Sequence, residues 1–232
     1  MEKESNLRFI FIRHGEPDGM NYGGKLLGSD GKPKKRLPKE LQVLSQVGIR
    51  QAGAAGCYLR RYQPQYIFSS DAIRAHQTAI EINKQLDEPL EIVLDERLRE
   101  QHVREQFELD IEKENDAERK ANLTNRLEQC IPFEQVFMEA KAFIREIEKR
   151  NFNGNIVFVT HGMIMSVFQY CALYDSPDIK RYKEQKTAVE DDLDFCAMFS
   201  VDLKLPLAQR EIIFPCHEIK QKILAGLVED NM

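Results

Sequence analysis

The feature that most constrains this chain is a run of four apolar residues, 9–12, that passes directly into Arg13, His14 and Gly15. Consecutive apolar side chains indicate a strand that is buried on both faces, as the strands of parallel sheets are. In open parallel sheets, ligands bind in the crevice beyond the carboxyl ends of the strands. The sequence therefore predicts that Arg13 and His14 lie at the binding edge of a sheet.

Two further segments have the same form. The apolar run 156–159 is followed closely by His161, and the strand-like run 66–68 is followed by hydroxyl side chains and then by Arg74. Because the carboxyl ends of parallel strands meet at one edge of a sheet, we expect these residues to join those of the first strand around an anion. A guanidinium suits a phosphoryl group, since its planar fork donates two parallel hydrogen bonds.

The rest of the chain alternates strands and helices, which is typical of an α/β protein with a mostly parallel central sheet. We therefore predict a three-layer α/β/α sandwich. Ser70 or Asp71 is expected to cap the helix that carries Arg74. The sequence predicts further strands at 65–70, 90–94, 195–201 and 211–214, and helices at 41–62, 72–86, 163–174 and from Pro132 onward. Residues 175–192 are predicted to be irregular or partly helical, and 217–232 to form a terminal helix or tail.

One segment departs from this alternation. Residues 101–128 are strongly charged and lack glycine and proline, yet they keep enough apolar residues for helices with one apolar side. We interpret about 101–131 as a helical cap or insertion in a single domain that spans 1–232. A length of 232 residues suits one such domain.

Composition excludes several classes of protein. The net charge of -5 gives no basic footprint for nucleic acid, and no apolar run is long enough to cross a membrane. The polar start of the chain lacks an apolar segment of the signal-peptide type, so we expect a cytoplasmic protein. The five cysteines are scattered and include no C-x-x-C pair, which favours reduced thiols over disulfides or a zinc ribbon.

A long loop, 15–40, follows the first strand and is rich in glycine. Its basic residues could attract a polyanionic or acidic substrate. The simpler interpretation is a solvated loop. The basic residues are Lys25, Lys32, Lys34, Lys35, Arg36 and Lys39.

Five ordered elements make the chain resemble a known family. They are Arg13-His14-Gly15-Glu16, Leu44-Ser45-x-x-Gly48-x-x-Gln51-Ala52, Ser69-Ser70-x-x-x-Arg74-Ala75-x-Gln77-Thr78-Ala79, Leu98-x-Glu100 and Val159-Thr160-His161-Gly162. In order and separation these elements are similar to the histidine phosphatase superfamily, in branch 1, which contains cofactor-dependent phosphoglycerate mutases and related phosphatases. The resemblance extends from residue 8 to about residue 170.

The resemblance implies a role for each site residue. His14 would be the nucleophile that takes the phosphoryl group and becomes a phosphohistidine. Arg13, Arg74 and His161 would hold the phosphoryl oxygens, and Glu100 would protonate the leaving oxygen and then help to activate water. Neither a metal ion nor an organic cofactor is implied. These roles suit phosphoryl transfer, which needs alignment of the reactants and stabilisation of charge on the equatorial oxygens.

Two assignments depend on imperfect matches. Asn21 lies one residue from the position of an asparagine that helps to hold phosphate in relatives. After Glu100, the sequence Gln101-His102-Val103-Arg104 stands where mutase-like relatives have an aromatic residue and a glycine. Another carboxylate, Glu105, Glu16 or Asp71, could therefore supply the proton. We interpret His102 as a surface residue, and His76 and His217 belong to no motif.

The same departure bears on the reaction. A mutase must shield its phosphohistidine from water, whereas a phosphatase admits water. We therefore expect a metal-independent phosphomonoesterase that acts on a small phosphorylated substrate or a phosphoprotein. The alternatives are a cofactor-dependent phosphoglycerate mutase and a non-catalytic phospholigand-binding protein on the same fold. A zinc hydrolase has less support, because no H-x-x-x-H spacing is present. The sequence predicts neither the identity of the substrate nor the oligomeric state.

Overall fold

A five-stranded sheet forms the centre of the molecule. The computed structural model describes residues 8–18, 41–150, 152–188, 194–215 and 217–226. The strands are β1 (Arg8–Arg13), β2 (Pro64–Ser69), β3 (Ile92–Leu94), β4 (Asn155–Thr160) and β5 (Met198–Asp202). Their order across the sheet is β3-β2-β4-β1-β5.

The pairing of the strands places their carboxyl ends together. Strands β1, β2, β3 and β4 are parallel, and only β5 runs antiparallel, against β1. Arg13 is level with Thr160, and Ser69 is level with Val159. Strands β1, β2 and β4 therefore end at one edge of the sheet, as predicted.

Helices cover both faces of the sheet, which confirms the predicted three-layer α/β/α sandwich. The helices are α1 (Gln46–Leu59), α2 (Ile73–Asn83), α3 (Arg104–Lys113), α4 (Ala117–Arg126), α5 (Phe133–Lys149), α6 (Gly162–Leu173), α7 (Ile179–Ala188) and α8 (His217–Ala225). One hydrophobic cluster joins one face of the sheet to α1, α2 and α8, and the other joins the opposite face to α5, α6 and α7.

The alternation of side chains along β1 explains how one strand serves both layers. Phe9 and Phe11 belong to the cluster under α5 and α6, whereas Ile10 and Ile12 belong to the cluster under α1 and α2. Successive side chains of a strand point to opposite faces, so four apolar residues in a row fill both cores. This is why all four positions 9–12, which precede Arg13, are apolar and buried.

Two helix starts differ from the prediction. The helix predicted from residue 41 begins at Gln46, because the hydroxyl of Ser45 accepts a hydrogen bond from the backbone N–H of Gly48 and caps the helix there. Helix α2 begins after Ala72, whose side chain makes no capping hydrogen bond. The predicted caps are engaged elsewhere, since Asp71 pairs with Arg99 and Ser70 contacts His161.

The strand predicted at residues 211–214 is reduced to a single bridging residue. Only Ile213 pairs with the sheet, through an isolated antiparallel bridge to Ser200. Pro215 follows closely and has no N–H to continue the ladder.

Two helices, α3 and α4, occupy the segment predicted to form a cap. Over the part of the chain that the structure describes, no helix is both long and apolar enough to cross a membrane.

Candidate active site

Three strand ends and one helix start supply the predicted cluster. His14 follows β1, Ser70 follows β2, and His161 follows β4 at the N-cap position of α6. Arg74 lies in the first turn of α2 and reaches back toward both histidines. The His14 and His161 rings have centroids 5.1 Å apart. The structure thus brings together residues that are up to about 150 positions apart in sequence.

The contacts of His14 define which ring nitrogen carries the proton. Its Nδ1 lies 2.7 Å from the carbonyl oxygen of Gly15, which can only accept, so Nδ1–H is the donor. Its Nε2 accepts a hydrogen bond from Nε of Arg74 at 3.0 Å. The imidazole is therefore neutral, with the Nε2 lone pair directed at the arginine. The ring is buried and its orientation is fixed from both sides.

In His161 the roles of the two ring nitrogens are exchanged, so that Nδ1 accepts and Nε2 carries the proton. A guanidinium can only donate, so Nη2 of Arg74, 2.9 Å away, donates to Nδ1 of His161. The proton of this ring is then on Nε2, which lies 3.0 Å from the hydroxyl of Ser70. Arg74 thus bridges the two imidazoles with two different nitrogens of one planar group.

Arg13 lies beside this bridge on the β5 side. Its guanidinium carbon lies 4.4 Å from the centre of the Phe195 ring, a cation–π contact. Burial lowers the pKa of Arg13 from its ordinary value, whereas the charges of Glu100 and Asp194 act in the opposite direction. The start of α6 is also close, because a Cβ on Gly162 would lie 3.4 Å from Nε of Arg13.

Glu100 is half-buried and lines the same cavity as Arg74 and His161. Its Oε1 accepts a hydrogen bond of 3.2 Å from the backbone N–H of Ile164, in the first turn of α6. A helix N-terminus favours negative charge, so this contact holds the carboxyl group in position. The structure therefore places Glu100 at the site.

The other three carboxylates considered from the sequence are engaged in structural contacts. Glu105 accepts from the backbone N–H of Phe133 at 2.9 Å, and buried Glu16 accepts from the Ser45 hydroxyl at 2.8 Å. Asp71 lines the cavity but is bound by Arg99, whose hydrogen bonds hold the pKa of Asp71 below its ordinary value. A carboxyl group with a lowered pKa is ionised near neutral pH and therefore has no proton to donate.

A close contact between two backbones supports the turn after His14. A Cβ on Gly15 would lie 2.6 Å from the carbonyl oxygen of Gly48, and a Cβ on Gly48 would overlap the carbonyl oxygen of Glu16. Only glycine fits at either position. The side chain of Gln51 also accepts from the backbone N–H of Glu16 at 3.0 Å. The second motif therefore holds the histidine turn against the start of α1.

Thr78 connects the turn after His14 to Arg74. Its hydroxyl accepts from the backbone N–H of Gly15 at 2.9 Å and donates to the carbonyl of Arg74 at 2.7 Å. The sequence contained Thr78 within a motif but gave no role for it. Its spacing of four residues from Arg74 is the signal, because a threonine hydroxyl often bonds the carbonyl one turn earlier.

A cavity of about 490 Å³ opens beside these residues and is shared with the cap. Arg99, His102, Arg126 and Gln129 also line it. The interpretation of His102 as a surface residue is wrong. Its ring is half-buried, because it packs against Phe107 with centroids 5.1 Å apart and accepts a hydrogen bond from Arg126.

Other sequence predictions lie outside the site or outside the described residues. Asn21 and the basic residues of the loop belong to the range 19–40, which is not among the described residues. Cys57, Cys130, Cys171 and Cys196 are free thiols, as expected. Within the described ranges, no three His, Cys, Asp or Glu side chains are grouped closely enough to bind a metal ion.

The family model of the histidine phosphatase superfamily (branch 1) matches residues 9–190 of the chain. The chain therefore belongs to this superfamily, and the resemblance seen in its motifs is confirmed.

Two curated relatives match part of the chain. Fructose-2,6-bisphosphatase TIGAR of Xenopus laevis is 50% identical over 61 residues, which cover 25% of this chain and 22% of the relative. Glucosyl-3-phosphoglycerate phosphatase of Mycobacterium tuberculosis is 36% identical over 96 residues, which cover 41% of this chain and 37% of the relative. The chain thus spans well under half the length of these relatives.

A solved structure extends the likeness to the whole fold. The phosphoglycerate mutase of Bacillus anthracis superimposes with a TM-score of 0.61 at 15% identity, covering 98% of this chain and 100% of the mutase. At this identity the likeness establishes the fold alone.

Proposed function

We propose that this protein is a metal-independent phosphomonoesterase that forms a phosphohistidine at Nε2 of His14. The observation that carries the proposal is the 2.7 Å contact between Nδ1 of His14 and the Gly15 carbonyl. That contact keeps the proton on Nδ1 and leaves the lone pair on Nε2, in the middle of the cationic cluster. A neutral, oriented imidazole is the form that can attack phosphorus.

In the first step the Nε2 lone pair forms a bond to phosphorus, and the bond from phosphorus to the leaving oxygen breaks. Arg13 and Arg74 stabilise the negative charge on the equatorial oxygens. A phosphoryl oxygen replaces His14 as the acceptor for Nε of Arg74. The dianion favours a protonated His161, because negative charge stabilises the imidazolium, and Nδ1 of His161 then donates to a phosphoryl oxygen.

Glu100 moves the proton in both steps. As a carboxylic acid it gives its proton to the leaving oxygen, and as a carboxylate it then takes a proton from the attacking water while the bond from Nε2 to phosphorus breaks. The engagement of Glu105, Glu16 and Asp71 in other contacts supports this assignment. A phosphate dianion nearby favours the protonated form of Glu100 at the start of the cycle.

Hydrolysis is favoured over phosphoglycerate mutation. The 490 Å³ cavity beside Arg74 is lined largely by polar and charged side chains, which suits the entry of water. The two curated relatives described above are named as phosphatases, which supports the same reaction here. Their names also support a small phosphorylated substrate. The cytoplasmic location expected from the sequence stays a prediction.

Release of phosphate from p-nitrophenyl phosphate tests the proposal, measured from pH 4 to 9 in the presence of EDTA. We expect hydrolysis by the wild type and none by His14→Ala. Glu100→Gln should lose more activity with alkyl phosphates than with the aryl phosphate, since a poor leaving group needs the proton most. The expected ratio of the two losses is about 10²-fold or more.

Two controls separate the alternatives. Thr124→Val leaves the site intact and should hydrolyse at the wild-type rate. Isomerisation of 3-phosphoglycerate in the absence of phosphate release would support the mutase instead. A folded wild type that binds phosphate but catalyses neither reaction would support the phospholigand-binding protein.

A further inference from the structure

The arginines that line the cavity differ in their partners. Arg74 bridges the two histidines of the site, and Arg99 is bound by the carboxylate of Asp71. Arg126, at the end of helix α4, contacts neither a histidine of the phosphoryl site nor a carboxylate in the described part of the chain. It lines the cavity that Arg74 and His161 also line, so one bound molecule of modest size can contact the phosphoryl site and the cap.

Arg126 is held in place by neutral groups. Its Nη2 donates to Nε2 of His102 at 3.1 Å, and its guanidinium carbon lies 4.9 Å from the centre of the Phe107 ring. Phe107 is itself buried, at 4% exposure, and fixes the position of this contact. Orientation by a neutral acceptor and an aromatic face leaves the other donors of the guanidinium available, because a guanidinium has five N–H groups in a planar fork.

No counter-charge accompanies Arg126. Among the described residues, no carboxylate forms an ion pair with it, whereas Arg97, Arg99, Arg150 and Arg210 all have one. A half-buried guanidinium that faces a cavity is a suitable site for a carboxylate or phosphate, which accepts two parallel hydrogen bonds. Two acidic residues line the cavity, Asp71 and Glu100, and Asp71 is already paired with Arg99.

We infer that Arg126 selects substrates whose leaving group carries a second anionic group, a carboxylate or a further phosphate. This inference rests on the phosphatase function proposed above and names its substrate class. The phosphoryl group is held by Arg13 and Arg74, and the second anion is held by Arg126 across the cavity. His102 and Phe107 are positioning residues for that arginine.

Matched substrates test the inference. Glycerol 3-phosphate and 3-phosphoglycerate differ only in a hydroxymethyl group against a carboxylate, and glycerol 1,3-bisphosphate replaces that end with a phosphate. We expect kcat/KM of the wild type to favour the two substrates with a second anionic group over glycerol 3-phosphate. In Arg126→Ala that preference should fall by about 10- to 100-fold, which is the usual effect of losing a hydrogen bond between charged groups.

Comparison of 3-phosphoglycerate with glycerol 1,3-bisphosphate shows which kind of second anionic group Arg126 binds. A larger preference for 3-phosphoglycerate identifies a carboxylate, and a larger preference for the bisphosphate identifies a phosphate. Arg126→Lys should keep part of the preference, because it keeps the charge but not the fork. Arg119→Ala removes an exposed arginine from the same helix and should leave the preference as in the wild type.

Binding separates this inference from the proposed function. Dissociation constants of the same three compounds are measured by calorimetry with His14→Ala and with His14→Ala/Arg126→Ala, neither of which needs turnover. Loss of the preference for a second anionic group in the double variant supports Arg126 even where no phosphohistidine forms. An equal loss of affinity for all three compounds would show a merely structural role for Arg126, and an unchanged preference would also overturn the inference.

Discussion

Nε2 of His14 lies 3.0 Å from Nε of Arg74, and the same guanidinium reaches Nδ1 of His161 at 2.9 Å. The histidine turn and helix α2 must therefore keep a fixed relative position. Thr78 supplies that connection, because its hydroxyl bonds the backbone of both Gly15 and Arg74.

Thr78→Val should consequently lower kcat more than it raises KM, by about 10- to 100-fold, since small misplacements of reacting groups are costly. The unsatisfied N–H of Gly15 should also cost about 1–3 kcal/mol in the free energy of unfolding. Phosphatase kinetics and urea denaturation measure the two effects. Thr124→Val is the matched control, because the Thr124 hydroxyl also bonds the carbonyl four residues earlier but lies exposed in the cap.

Gly48→Ala should destabilise the protein, because the new Cβ would overlap the carbonyl oxygen of Glu16. Overpacking of this kind costs about 1–3 kcal/mol. Gly53→Ala in the same helix is the control, and it should stabilise the protein. Its Cβ would meet only Nε2 of Gln85, at 3.9 Å, and alanine in a helix is favoured over glycine by about 1 kcal/mol. Equal unfolding midpoints for the two variants would contradict this prediction.

Lys141→Met should cost about 2–5 kcal/mol, because two carbonyls at the end of α6 would lose their donor. The side chain of Lys141 is 7% exposed, and its ammonium donates to the carbonyls of Cys171 and Tyr174 at 2.7 and 2.8 Å. Lys149→Met, on the exposed face of the same helix, should change the free energy of unfolding by less than about 0.5 kcal/mol. Comparable losses for both variants would be inconsistent with the capping role of Lys141.

The ion pair of Asp71 with Arg99 gives a pH-dependent contribution to stability. The fold lowers the pKa of Asp71 from its ordinary value of 3.8, mainly through the hydrogen bonds from Arg99. A lowered pKa stabilises the fold fully at pH values above 3.8, and this stabilisation is lost as the pH falls through the lowered value.

Asp71→Asn should therefore be less stable than the wild type at pH 7 and equally stable at strongly acid pH. The pair is largely exposed, so the difference should not exceed about 1 kcal/mol and should shrink with added salt. Urea denaturation at several pH values measures it. A difference that persists unchanged at acid pH would rule out the ion pair as its cause.

The sequence predicted the site where local pattern and strand order were sufficient. Four apolar residues followed by Arg13 and His14 define both a buried strand and its binding edge, and a parallel sheet then brings His161 to the same edge. The starts of the helices were less predictable. Ser45 stops α1 from extending back to Leu44, and such a cap depends on where the carboxylate of Glu16 lies.

The cap residues could not be placed from the sequence. The contact of Arg126 with His102 joins residues that are 24 positions apart in a segment with no strand to fix its register. The hydrogen bond from Gln51 to the carbonyl of Leu224 spans 173 positions and follows no local pattern. Only the packed fold brings such pairs together, so His102 looked like a surface residue until its surroundings were known.

Trapping of the covalent intermediate tests the central claim most directly. Glu100→Gln and wild type are mixed with ³²P-labelled p-nitrophenyl phosphate, quenched within milliseconds in alkali, which preserves phosphohistidine, and digested for peptide mapping. We predict label on the peptide that contains His14, at Nε2. Glu100→Gln should carry more label, because the aryl leaving group needs little help from a proton donor whereas attack by water is slowed. Absence of label in both proteins while phosphate is still released, or label that persists in His14→Ala, would contradict the phosphohistidine mechanism.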